Sequence, residues 1–230
     1  MPPIPRLRRL FAGCPPDTDP ADLARAREAL ALSNLERIGV LLWVIVLVTS
    51  LLLVMGFLLW TEALKDFDSA TPLEHVTGLR LLWVALDLAA LAALRRLSAP
   101  GCPARLREWA GTGIVLANLL LVIALTWLMY PYFHTIDSFL LGMFALASFV
   151  RLGLRHSLLA IGLPFALLVA VILLHHASVV QTRSNLINLC FMTALALAVM
   201  RSQRVAALRD VVQQHTIRRQ NAVLEQLAMT

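Results

Sequence analysis

Charged residues are scarce in this sequence of 230 residues, where they make up 15% of the chain and hydrophobic residues make up 59%. Soluble domains carry roughly 25% charged residues, so an ordinary globular protein is excluded. The mean hydropathy is +0.76. The net charge of +6 is divided among short basic stretches between apolar runs. This pattern is typical of membrane orientation, and it argues against nucleic acid as a partner.

Motifs for catalysis and metal binding are also missing. The sequence has no Gly-rich phosphate loop, no His-Glu-x-x-His helix and no Gly-x-Ser-x-Gly elbow. Its three cysteines, Cys14, Cys102 and Cys190, lack the spacing of a zinc site or a disulfide framework. We therefore expect no catalytic residue and no cofactor in this chain.

Long apolar runs are what the sequence does contain, and they predict an all-α integral membrane protein with six transmembrane helices in the lipid bilayer. A hydrocarbon core of about 30 Å needs about 20 residues at 1.5 Å per residue. The fourth run is short and depends on snorkelling flanking residues or local thinning of the bilayer. The predicted spans are Ile38–Trp60, Val76–Leu94, Ala110–Met129, Ile136–Val150, Leu158–Leu174 and Leu186–Met200.

Arginine placement supports six spans with both termini in the cytoplasm. Basic residues are frequent before the first span, after the second, after the fourth and after the sixth, and they are rare in the other connections. A four-span arrangement would merge the hairpin of residues 136–174 with a neighbouring span and break this alternation. The arginines on the predicted cytoplasmic side are Arg6, Arg8, Arg9, Arg25, Arg27, Arg37, Arg95, Arg96, Arg105, Arg107, Arg151, Arg155, Arg201, Arg204, Arg209, Arg218 and Arg219.

Three segments follow from this topology. Residues 1–37 form a cytoplasmic N-terminal arm and helix, in which Asp19 and Pro20 read as an N-cap and first helical residue. That helix lies near the lipid headgroups or simply extends the first span. Residues 38–200 form the six-helix membrane domain, and residues 201–230 form a cytoplasmic stalk helix.

Asp87 lies near the middle of the second span, where an unpaired carboxylate costs roughly 3 kcal/mol on insertion scales. Its candidate partners are Arg80, two helical turns earlier, and Asn118 and Thr126 on the third span. One interpretation is an intramembrane switch that responds to a proton or ligand. The other is a hydrogen-bonded aspartate that fastens helices together.

Four of the six histidines fall on the outer side in this topology. They could form a metal, haem or pH-sensing site together with nearby acidic residues. The simpler interpretation is that histidine and tyrosine are comfortable at the headgroup level, and the lack of tight ligand spacing favours it. The outer candidates are His75, His134, His175, His176 and Asp137.

The stalk, residues 201–230, lacks glycine and proline, so the sixth span should continue as one helix. Its apolar residues follow two stripes that shift between Val212 and Ile217, as in a coiled coil with a stutter. Two heptads dimerise weakly alone, so other elements must contribute to the expected homodimer. The predicted stalk seam comprises Leu208, Val212, Ile217, Leu224 and Leu227.

The last residues, Leu224-Glu225-Gln226-Leu227-Ala228-Met229-Thr230, resemble the Leu-x-x-Leu-Ala segment that precedes the GGDEF domain of bacterial diguanylate cyclases. In that family the next residues read similarly to Asp-x-Leu-Thr-Gly-Leu-x-Asn-Arg. A six-span region followed by a helical stalk also resembles the membrane-associated sensor regions of that family.

The resemblance implies a module of the bacterial inner membrane that receives an unknown small-molecule or ion signal. It would regulate a C-terminal domain, absent from this sequence, that makes cyclic di-GMP from GTP with Mg²⁺. No catalytic residue of the family can be transferred to this sequence. Adenylate cyclases and histidine kinases also use six-span regions with stalks, and the alternatives from other classes are a small transporter or channel and a metal-dependent membrane enzyme.

Overall fold

The computed structural model describes residues 20–60, 71–175 and 178–228. Residues 1–19 of the N-terminal arm, His176 and the last two residues of the stalk therefore lie outside the described residues. The described part is entirely helical and contains no strand, which confirms the all-α class. Its helices are α1 (Pro20–Trp60), α2 (Thr71–Leu97), α3 (Ala104–Phe133), α4 (Asp137–Phe149), α5 (Leu154–Leu174) and α6 (Val179–Ala228).

Five of these helices are long and apolar enough to cross a membrane: α1, α2, α3, α5 and α6. The remaining helix, α4, has 13 residues and is therefore about 20 Å long, short of a hydrocarbon core of about 30 Å. Large apolar side chains cover the outside of the bundle, including Leu47 and Leu141, which are 67% and 73% exposed. Such an exterior is stable in lipid and not in water, so the protein is membrane-embedded.

Both long end helices are continuous. The first begins at Pro20 and runs without interruption to Trp60, so the N-terminal helix is an extension of the first span. At the other end, α6 has 50 residues and contains no glycine or proline. The expectation that the sixth apolar run continues as one helix into the polar tail is confirmed.

The centre of the bundle is occupied by α3, which contacts α1, α2, α4 and α5. On the other side of the core, α6 packs against α1, α4 and α5. Because lipid is as apolar as the core, the stability of such a bundle depends on close packing and interhelical hydrogen bonds. The largest fully buried side chains include Leu42, Leu119, Tyr130, Phe139, Leu168 and Leu189.

Polar contacts mark the two opposite ends of the bundle. We call the arginine end the group of Asn34, Glu108, Arg151 and Arg204, and the histidine end the group of Tyr130, His134, Gln181 and Asn185. Hydrogen bonds join distant segments within each group. The segment 134–151, which contains α4, begins at the histidine end and finishes at the arginine end.

Candidate functional site

Asp87 forms a buried hydrogen-bonded network between α2 and α3. Its Oδ1 accepts a hydrogen bond from Asn118 Nδ2 at 3.0 Å, and its side chain is only 1% exposed. Trp83 Nε1 donates to Asn118 Oδ1 at 2.9 Å, which holds the amide so that its nitrogen faces the carboxyl group. Of the candidate partners, Asn118 is therefore the one that the structure supports.

The second carboxyl oxygen, Asp87 Oδ2, is buried and has no hydrogen-bond partner among the described residues. A buried polar atom without a partner costs free energy and calls for a physical explanation. A proton on this oxygen would remove the charge from the carboxyl group.

Arg80, one of the three candidate partners, makes no ion pair or hydrogen bond with Asp87 among the described residues. Its guanidinium donates instead to the Leu52 carbonyl of α1 at 3.4 Å, and two helical turns separate the Cα atoms of Arg80 and Asp87. Thr126 also bonds elsewhere, donating from Oγ1 to the Val122 carbonyl at 2.8 Å. In contrast, sequence reasoning missed Trp83, although its spacing of four residues from Asp87 puts both side chains on one helical face.

The histidine end is organised around the backbone of His134, which closes α3 in the left-handed conformation at φ 50° and ψ 26°. This conformation is unfavourable for a residue with a side chain. Its carbonyl accepts hydrogen bonds from two α6 amides, Gln181 Nε2 and Asn185 Nδ2, both at 3.0 Å. Asn185 Nδ2 also donates to the hydroxyl of Tyr130, which is fully buried. The start of α6 is thus attached to the end of α3.

Aromatic contacts complete the histidine end. The ring centroids of Tyr130 lie 5.8 Å from His134 and 5.6 Å from His175. Trp127 contacts His175 edge-on at 4.6 Å, and His175 Nδ1 donates to the Val171 carbonyl at 3.0 Å. Two of the predicted outer histidines are therefore brought to one tyrosine.

The other outer candidates are not gathered at this point. His75 and Asp137 lie in the first turns of α2 and α4 with exposed side chains, and His176 is outside the described residues. No group of three or more His, Cys, Asp or Glu side chains that could hold a metal ion occurs in the described ranges. A metal or haem site that includes His176 stays a prediction.

The arginine end joins α1, α3, α6 and the connection between α4 and α5 through Arg204 and Asn34. Arg204 Nη2 lies 3.1 Å from Glu108 Oε1, and the two side chains are 20% and 31% exposed. Arg204 Nη1 also donates to the Arg151 carbonyl at 3.4 Å, while the Arg151 amide donates to Asn34 Oδ1 at 2.8 Å. Burial lowers the pKa of the Arg151 guanidinium, an effect that nearby Arg37 increases and Asp210 opposes.

The stalk seam divides into two parts. Leu208 is 4% exposed and forms a small core with Ala207, Ala26 and Leu30, against which Val212 also packs. The later seam residues are exposed: Ile217 by 55%, Leu224 by 63% and Leu227 by 68%. The shift between the two stripes thus falls between the part of the seam that packs on α1 and the described part that is exposed.

Comparison with known proteins gave no relative. No family model matches the chain, and no curated protein or solved structure is significantly similar to it.

Proposed function

We propose that the chain is the sensory, anchoring and dimerising membrane module of a signalling enzyme, most simply a diguanylate cyclase of the bacterial inner membrane. The observation that carries the proposal is the continuity of α6. One helix of 50 residues begins at the histidine end, passes through the core and the arginine end, and continues as an exposed tail. A rigid helix of this kind conveys a rotation or shift from the bundle to a domain attached at its end.

The proposal includes six membrane crossings with both termini in the cytoplasm. Support comes from the segment 134–151, because the His134 carbonyl is bound at the histidine end and the Arg151 amide at the arginine end. Although α4 is short, its flanking residues complete the distance between the two ends. The arginine alternation assigns the arginine end to the cytoplasm.

Asp87 is the proposed intramembrane switch. Its carboxyl group has one bonded and one orphaned oxygen, and it lies at the contact of α2 with α3. A change in its protonation or hydration alters the contact of α2 with α3, which is the central helix of the bundle. The signal itself is a small molecule or ion of unknown identity.

The exposed part of the seam is the proposed dimer contact. Ile217, Leu224 and Leu227 form an exposed apolar stripe on the polar part of α6, after the small core that α6 forms with α1. In a homodimer the same stripe of a second copy would cover it, as in a short coiled coil. In this proposal, GTP and Mg²⁺ bind to the output domain that α6 would lead into.

Disulfide cross-linking in membranes tests the dimer. In a background without Cys14, Cys102 and Cys190, Leu224→Cys should form a covalent dimer under mild oxidation. The matched control is Gln226→Cys, which is also exposed but lies about 200° around the helix. Equal cross-linking at both positions, or none at Leu224→Cys, would reject the seam.

A further inference from the structure

A cavity of about 190 Å³ lies between α1, α5 and α6 at the arginine end. Three arginines line it: Arg27 from α1, and Arg201 and Arg204 from α6. The remaining lining is Ser157, which is 3% exposed, the Gly153–Leu154 corner and aliphatic side chains. The cavity is therefore strongly basic and has apolar walls.

The positive charge of Arg27 is not balanced by an ion pair within the described ranges. No acidic residue of the described part lines it. Arg204 is paired with Glu108, which approaches the guanidinium from outside the lining. The Arg27 side chain makes no hydrogen bond or ion pair within the described ranges. Like charges in one cavity repel one another, and an anion would remove that repulsion.

The beginning of α5 adds donors of the same character. Gly153 and Leu154 line the cavity, and the helix has no side-chain N-cap. The first N–H groups of a helix lack intrahelical partners and carry partial positive charge, which suits a phosphate oxygen. Gly153 also permits close approach of Arg204, since a Cβ there would lie 3.1 Å from its Nη1.

We propose that this cavity binds the phosphate group of an anion, supplied either by a phospholipid headgroup or by free inorganic phosphate. Planar guanidinium groups bind phosphate oxygens in bidentate fashion. Ligand pockets for whole small molecules begin at about 300 Å³, so the cavity suits a headgroup-sized anion and is too small for a nucleotide. Its occupant would join α1 to the stalk part of α6. The proposal goes beyond the signalling role, because binding is measurable whether or not the stalk regulates an output.

Chemical protection of the wild-type chain is the first test. The full chain in detergent is treated with an arginine-selective dicarbonyl reagent. Separate samples contain phosphatidylglycerol, inorganic phosphate or chloride, all at equal ionic strength. At a concentration about ten times its dissociation constant, a probe that binds the cavity should slow the modification of Arg27 about tenfold. Arg95 and Arg96 are exposed at the end of α2, outside the cavity, and should stay reactive. Protection by the lipid alone identifies a headgroup site, and protection by phosphate identifies a free-ion site. Protection by neither probe, or equal protection of Arg95, overturns the proposal.

A pair of matched double variants provides the second test. Arg27→Gln with Arg201→Gln should weaken binding of the protecting probe, read from the protection of Arg204, by about tenfold for each arginine. Arg95→Gln with Arg96→Gln removes the same charge outside the cavity and should change affinity by less than twofold, as roughly expected for exposed sites. Equal losses in the two variants would show unspecific charge attraction and contradict the site. If the cavity variant does not fold, the wild-type protection result still decides the question.

Discussion

The two ends of the bundle hold the same helix by different chemistry. At the histidine end, two uncharged amides of α6 donate to the carbonyl of His134. At the arginine end, Arg204 forms an ion pair with Glu108 and also binds a backbone carbonyl. Hydrogen bonds with an ionised partner are roughly twice as strong as neutral ones. We infer that α6 is fixed at the arginine end and is easier to displace at the histidine end.

The first test of this comparison is whether the two ends of the bundle face opposite sides of the membrane. In the cysteine-free background, Ser98→Cys and Ser178→Cys report the connections after α2 and after α5, both exposed. With six crossings, an impermeant thiol reagent in intact cells should label only Ser178→Cys. If α4 does not cross, both positions lie on the inner side and neither is labelled before the cells are lysed.

Stability variants compare the strength of the two attachments. Arg204→Gln leaves Glu108 without its cation and should lower the free energy of unfolding by about 2 kcal/mol. Asn185→Leu removes two neutral hydrogen bonds and should cost about 1 kcal/mol, in line with interhelical bonds in membranes. Denaturation in mixed micelles measures both, with Arg95→Gln as an exposed control. A larger loss for Asn185→Leu would reverse the comparison.

Asp87 offers a comparison between function and stability at one position. Asp87→Asn keeps an oxygen for Asn118 Nδ2 and should change the free energy of unfolding by less than about 0.5 kcal/mol. Asp87→Leu leaves the Asn118 amide unpaired and should cost about 1 kcal/mol. The switch hypothesis further expects Asp87→Asn to alter the output of an attached cyclase domain across pH. An unchanged output with wild-type stability would leave Asp87 a structural residue.

The architecture follows from sequence patterns, whereas most of the site does not. Apolar length predicts the helices, and the lack of glycine and proline after Met200 predicts the continuous α6. The contacts of Asn34 with Arg151 and of Arg204 with Glu108 join residues 117 and 96 positions apart. No periodicity reports such contacts, because they depend on how whole helices pack. The same reason explains why the two Asn185 bonds were missed.

The stalk has one feature that the sequence predicts and one that it does not. Its stripe pattern indicates a seam and a shift, but the pattern does not say what covers each stripe. In the structure, Leu208 packs against Ala26 and Leu30 of the same chain, whereas Ile217 and Leu224 are exposed. An N-terminal helix continuous with the first span is what makes the first contact possible.

The smallest expected effect on stability comes from two glycines, Gly153 in the connection between α4 and α5 and Gly162 in α5. A Cβ at Gly153 would lie 3.1 Å from Arg204 Nη1, whereas one at Gly162 would meet nothing within 4 Å. Gly153→Ala should therefore displace the guanidinium and lower the free energy of unfolding by about 0.5 kcal/mol. Gly162→Ala should raise it by about 0.5 kcal/mol through helix propensity. Equal changes, read from thermal midpoints, would show that Arg204 adapts freely.

The claim that α6 transmits the state of the bundle is tested most directly by changing its phase. Insertions of zero to seven residues after Gln213, which follows the small core of Leu208 with Ala26 and Leu30, are placed in a fusion whose tail continues into a diguanylate cyclase domain. Each inserted residue rotates the cyclase domain relative to the bundle by about 100°, while seven restore the phase to within about 20° and add about 10 Å. Cyclase activity should change strongly at one and two residues and mostly recover at seven. Activity that does not change with insertion length would contradict transmission through the helix. A steady decline would indicate that only the length of the helix matters and not its phase.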